Sequence, residues 1–464
     1  MVGEDTFYES ATDRDKRYRD LIAKVTAKDP EWIRRFVPFL RNEMNMRSAS
    51  IVMAVEYVIA GGPNGRSVVD SAIQRADEPA EVIGYYRSRV GRSLPQPIKR
   101  GIADAARRLY TEKTALKYDS DSAGYRPADV IDITHPEPRG AWQSALFRYL
   151  LDKRHNRDDI VIPETLPVLL AHRELMALPV DQRRSRLSDP AALEAAGMTW
   201  EALSGWLQGP MDKEAWSAII PAMGYMALLR NLRNFEQAGV DGEARKRVID
   251  HLTNPSSVAK SRQFLFRFWS AFKNVESLDF KAAIQQAMEL SIQSLPELKG
   301  RSLVLIDSSG SMATTMSKNS TITMQQAGAV LGAALAKSGD GADIHNYADH
   351  IDIPIEHTRA TPVLEIVDRS FKRNGVVGYG TNTAQAVKAG FKNHARIIIV
   401  SDGQTATSIR RPNMTTPIYT FNLAGYAKAH LPTGDGVYEF GGLSDAVFKM
   451  FALIESGKDS DWPF

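Results

Sequence analysis

Leu303-Val304-Leu305-Ile306 is an unbroken apolar run that ends in Asp307-Ser308-Ser309-Gly310-Ser311. A run with no polar alternation fits a strand buried on both faces, as in the centre of a parallel sheet. Arg396-Ile397-Ile398-Ile399-Val400 repeats the pattern and ends in Ser401-Asp402-Gly403. Around these runs the spacing predicts helices over 323–337, 384–390 and 443–454, and one opened by Thr361-Pro362. Strand-like stretches fall at 342–348, 351–355 and 417–422. This alternation predicts an α/β doubly wound domain covered on both faces.

Ligands in such sheets sit outside the carboxyl ends of the strands. There the chain offers Asp307, Ser309 and Ser311 on one turn, in an Asp-x-Ser-x-Ser spacing. Gly378-Tyr379-Gly380-Thr381-Asn382 adds Thr381 on a glycine-rich loop, and Asp402 follows the second run. Carboxylate and hydroxyl oxygens are hard ligands, suited to Mg2+ or another divalent cation that keeps some of its waters. The plainer reading makes the same groups polar caps on strand ends.

From about residue 21 to 290 the signals are helical, with no convincing strand. Helices are expected at 50–60, 66–75, 80–89, 97–110, 141–153, 165–177, 191–207 and 213–237. Pro97 suits the first turn of its helix. The monotony fits a helical-repeat solenoid, and a globular bundle fits the same periodicity. A chain of 464 residues has room for two or three cores. The division falls at 1–295 and 296–464, with a junction at 291–300 around Pro296 that is too short to swing on.

The chain has no cysteine, which excludes disulfides and thiolate chemistry and fits a reducing compartment. Its start is polar, and no apolar run approaches the ~20 residues of a membrane helix. A soluble, cytoplasmic monomer with no membrane contact is expected. A net charge of +3 excludes a global polycation, so any nucleic-acid surface must come from local clustering.

Three such clusters occur. Residues 82–103 hold no acid but carry Arg87, Arg89, Arg92, Lys99 and Arg100. Residues 258–274 also lack acids, and interleave Lys260, Arg262, Arg267 and Lys273 with five aromatics. Basic groups among aromatics suit phosphates and stacked bases, although aromatics at this density are more often core. In the third cluster, Leu228, Leu229, Leu232 and Phe235 form an apolar helix face, with Arg230, Arg233, Asn234 and Gln237 opposite. Its nearest acid is Glu236. Forked guanidinium groups and amides are apt for phosphates and base edges, and a solvated face is the plainer reading. Arg100 and Arg107, seven apart, share a face opposite Ile98, Ile102 and Leu109.

Asp307, Ser309, Ser311, Thr381 and Asp402 resemble the metal-ion-dependent adhesion site of von Willebrand factor A domains. Met226-Ala227-Leu228-Leu229-Arg230-Asn231-Leu232 is similar to the signature of the TROVE module of the Ro ribonucleoprotein family. Weaker echoes lie at 98–118 and at 125–136, the latter ending Ile133-Thr134-His135-Pro136. The resemblance implies an all-α, HEAT-like helical-repeat ring followed by a von Willebrand A domain of Rossmann-like topology. It further implies single-stranded 3′ ends of defective noncoding RNAs in the hole, and small Y RNAs on the rim. RNA quality control or ribonucleoprotein assembly is the implied role, with an exoribonuclease tethered through RNA as a partner. The candidate RNA residues are Arg100, Arg107, Arg230, Asn231, Arg233, Asn234, Lys260, Arg262 and Arg267; for the cation the resemblance implies Asp307, Ser309, Ser311 and Thr381 as ligands, with Asp402 acting mostly through water. The family's Lys and Arg at 125–136 align with Ala128 and Asp132, a departure that weakens phosphate binding at the rim.

A non-catalytic RNA-binding protein is therefore expected. A protein-interaction module whose ion captures a partner's carboxylate is the second class. A metal-dependent hydrolase ranks last, because no general base stands beside the ion ligands. Neither Gly-x4-Gly-Lys-Ser/Thr nor His-Glu-x-x-His occurs, and His345 and His350 read as loop or surface residues.

Overall fold

The computed structural model describes residues 11–155, 160–316, 321–404, 409–424, 434, 436–442 and 447–457. Helices fill the chain from Ala11–Lys28 to Leu278–Gln293. Helix ends follow local chemistry. Asp29, Asp189, Thr199 and Asp212 each accept a hydrogen bond from the backbone three residues on, opening the helix that follows. The Gln96–Leu109 helix buries Ile98, Ile102, Ala105 and Ala106 and leaves Arg100 and Arg107 exposed. Gly101 lets it lie against the Gly65–Ala72 helix, since a Cβ there would sit 2.6 Å from the Arg66 carbonyl oxygen.

The predicted helices form with two corrections. The expected 191–207 helix is two, Pro190–Ala195 and Trp200–Leu207, broken at Gly197 with φ +62°. The expected 213–237 helix is also two, Lys213–Ile219 and Tyr225–Gln237, separated by a 3-10 turn that holds Pro221. By contrast, Pro38 leaves the Pro30–Asn42 helix unbroken. The charged, polar stretch 1–20 predicts an arm or a frayed first helix; residues 11–20 belong to the Ala11–Lys28 helix, and residues 1–10 lie outside the described residues.

The second part is a parallel sheet of β1 (Ser302–Asp307), β2 (Ala342–Tyr347), β3 (Arg396–Ser401), β4 (Ile418–Asn422) and β5 (Val437–Gly441). The strand order is β2-β1-β3-β4-β5. Strands β1, β3 and β4 are buried at every position. The order in which strands are added reverses between β1 and β3, the point where a doubly wound fold opens a crevice. Residues 351–355 are not a strand. Ile351 makes a single bridge to Tyr347, and Pro354 has no N–H to continue a ladder. His345 belongs to buried β2, with Nδ1 2.9 Å from the Asp352 carbonyl oxygen, and so is not a surface residue.

The Met324–Lys337 helix lies between the sheet and the helical body, and all but its ends are buried. Lys337 pairs with Glu289 at 2.9 Å, Glu289 also accepts the Val363 N–H, and Lys273 reaches Gln326 at 3.3 Å. At the other end of the helical body, Glu43 meets Lys449 at 2.6 Å in the last helix, Val447–Glu455. Arg262 adds a hydrogen bond to the Asn42 carbonyl oxygen at 2.7 Å. The helices thus form a ring, and the sheet domain touches both of its ends. Buried Arg396 fixes the junction by donating to the carbonyls of Lys299 and Gly300, to Ser302 and to Glu455. Among the described residues no helix is long and apolar enough to cross a membrane.

Candidate RNA cleft and ion site

Two polar centres of opposite sign stand out. The first is a cleft of about 640 Å³ between the Tyr225–Gln237 and Leu265–Lys273 helices, with Thr321 of the sheet domain at its edge. Arg230, Arg233 and Arg267 line it with Asn231, Asn234 and Asn274, and among the described residues no Asp or Glu does. Arg230 and Arg233 have no hydrogen-bond or ionic partner among the described residues, and Arg267 has only the Phe266 ring, 5.1 Å away. Partial burial and the Arg230 charge lower the Arg267 guanidinium from its ordinary value. Glu236 is turned elsewhere and accepts the backbone N–H groups of Glu276 and Ser277.

Asn231 is buried. Its Nδ2 donates to the Ala227 carbonyl oxygen at 2.9 Å, and its Oδ1 accepts from Asn234 Nδ2 at 2.8 Å. It therefore orients Asn234 and presents little surface of its own. The other sequence candidates lie elsewhere. Arg100 and Arg107 line a separate cleft of about 330 Å³ with Arg66, which is paired to Asp104. Lys260 is exposed at the end of the Pro255–Ser261 helix. Arg262, at φ +49°, belongs to the ring closure. The aromatics of 258–274 divide: Phe268 and Trp269 are buried core, and Phe264 stacks on Phe266 at 5.7 Å. Trp200, Asn274 and Thr321 complete the main cleft, and nothing in their local sequence marks them.

Ala128 is buried in the Pro127–Thr134 helix, so no side chain at that position reaches the rim. Asp132 is exposed and meets His155 at 3.1 Å.

The second centre lies at the carboxyl ends of β1 and β3. Buried Asp307 accepts the Ser309 N–H at 2.9 Å and the Ser401 hydroxyl at 2.6 Å. Ser309 Oγ and Ser311 Oγ lie 3.3 Å apart. Gly310 N–H donates to the Tyr379 carbonyl oxygen at 3.1 Å, which draws the Thr381 loop over this turn. Asp349, which sequence reasoning missed, accepts the Gly380 N–H at 3.1 Å. Gly378, at φ +87°, is required there because its Cβ would fall 1.8 Å from Asp349 Oδ2. Burial pushes Asp307 up to about 6, the Ser401 and Ser309 hydrogen bonds oppose the rise, and the Asp402 charge adds to it. Two carboxylates with hydroxyls around them fit a hard cation, which would replace the solvation that burial removes. Among the described residues no group of three or more His, Cys, Asp or Glu could hold a metal, so such a site depends on its hydroxyls.

A TROVE domain is matched over residues 181–329, a span that takes in the main cleft, β1 and the start of the helix behind it. The chain therefore carries a TROVE domain over that span. It resembles the crystal structure of the Deinococcus radiodurans Ro (Rsr) protein with a TM-score of 0.67, covering 92% of this chain and 93% of that one at 15% identity. It is also similar to telomerase protein component 1 of mouse and rat, 23% identical over 309 and 314 residues. Those matches cover 56% of this chain and 12% of the relatives, so the chain spans about an eighth of their length. Helical ring and closing sheet together give this chain the fold of that Ro structure.

Proposed function

We propose that the protein binds noncoding RNA by drawing single-stranded ends into the acid-free cleft, in RNA quality control or ribonucleoprotein assembly. The observation that carries this is the convergence of Arg230, Arg233 and Arg267 on one cavity with no carboxylate to neutralise them. Cations held together without anions are stabilised by an anionic ligand, and RNA phosphates supply that charge. Asn234 and Asn274 offer amides to bases that only a single strand exposes. The Arg100–Arg107 cleft offers a weaker second surface, because Asp104 and Glu137 share it.

Asp307, Ser309, Ser311 and Thr381, with Asp402 behind them, would hold a divalent cation, magnesium by ligand chemistry. The ion would bring positive charge to the mouth of the sheet. Exposed Tyr379 and Val376 beside Thr381 favour a second use, docking of a partner's carboxylate there. Filter binding separates the uses. Tailed RNA should bind and blunt duplex should not, with EDTA leaving RNA affinity unchanged. Equal binding of both RNAs would overturn the cleft reading.

A further inference from the structure

The cleft is lined by apolar side chains as well as by its arginines, and one of them is Trp200. This residue opens the Trp200–Leu207 helix, is half-buried and lines the cleft beside Met226, which is 37% exposed. Its indole packs on Trp216 with ring centroids 5.8 Å apart and planes tilted by 33°. Trp216 is itself buried and meets fully buried Phe235 edge-on at 5.1 Å. A half-buried ring with two buried rings behind it is held in place before any ligand arrives, so little side-chain entropy is lost on contact.

Resting on the RNA reading above, we propose that Trp200 is the platform on which one base of the single strand stacks, while Arg230, Arg233 and Arg267 hold the adjoining phosphates. Aromatic faces accept any base, so the grip is tolerant of sequence but requires a base. A simple polyanion satisfies the arginines and leaves the indole uncovered. Met226 extends the apolar wall, and no acid interrupts it.

The test pairs two tails with two variants of the full chain. One tail is single-stranded adenosine on a duplex stem, and the other is a ribose-phosphate tail of equal length without bases. Trp200→Ala should weaken binding of the adenosine tail about tenfold, as expected for loss of one stacked base, and leave the base-free tail unchanged. Trp200→Phe should restore most of the loss. Equal weakening of both tails by Trp200→Ala would overturn the inference, because a merely structural role affects both alike. Arg230→Gln with Arg233→Gln should weaken both tails, and if it weakens neither, the RNA reading fails rather than the role of Trp200.

Discussion

The cleft and the strand-end site are each a cluster of charge that lacks its opposite. In the cleft, Arg230, Arg233 and Arg267 meet no acid among the described residues. At the sheet, Asp307 meets the Ser401 hydroxyl and the Ser309 N–H near Asp402, and burial pushes it up rather than down. Many charges elsewhere are paired. Arg41 with Glu78, Arg66 with Asp104 and Arg396 with Glu455 are three of many pairs. Local imbalance in a chain of net charge +3 therefore marks where ligands belong and gives their sign.

The largest expected effect separates the two centres. Asp307→Asn keeps the shape of the site but removes a buried charge, so calorimetry should detect no magnesium binding. Without the ion, thermal stability should be equal to or above that of the native chain, because desolvating a carboxylate beside Asp402 costs stability. Unchanged magnesium affinity would remove the ion site, and lower stability in EDTA would contradict the imbalance.

Asp343 is the matching carboxylate with its partners in place. Hydrogen bonds from Arg301 and then His394 hold it down at about 2. Its folded pKa lies below the unfolded value of about 4, so its stabilisation is complete above that pH and is lost as pH falls toward 2. Asp343→Asn should cost about 1–2 kcal/mol near pH 6, and the two stability curves should converge by about pH 2. Parallel curves would contradict the pairing.

The smallest effect belongs to the ring seam. Glu43 and Lys449 are both about half exposed, so Glu43→Gln should cost under about 1 kcal/mol. Small-angle scattering should still show one compact particle, since Glu289 and Lys273 also join the two parts. Separated, independently moving parts would refute the closure.

The sheet was more legible than the cleft for a physical reason. β1 and β3 are local runs, and Asp307, Ser309 and Ser311 follow one of them directly, so pattern and position coincide. β5 was missed because Val437–Gly441 is a half-buried edge strand with no continuous apolar run. The alternation of Ile351, Ile353 and Ile355 imitated a strand that Pro354 prevents. The cleft joins helices far apart in the chain. Arg230 and Arg233 were visible as an acid-poor face, and Arg267 as part of a basic window. Their meeting with Trp200 and Thr321 depends on tertiary packing that no local pattern encodes. The break at Met223-Gly224 could have been read from Pro221.

The central claim is that the unpaired arginines neutralise RNA phosphate, and the salt dependence of binding tests it most directly. Affinity for a single-stranded tail should fall with salt in the native chain, with a slope of about 0.7 per phosphate neutralised. Replacing Arg230 and Arg233 together by Gln should lower affinity roughly 10- to 100-fold and flatten the slope by about 1.4. A double variant with native affinity and native slope would contradict the account.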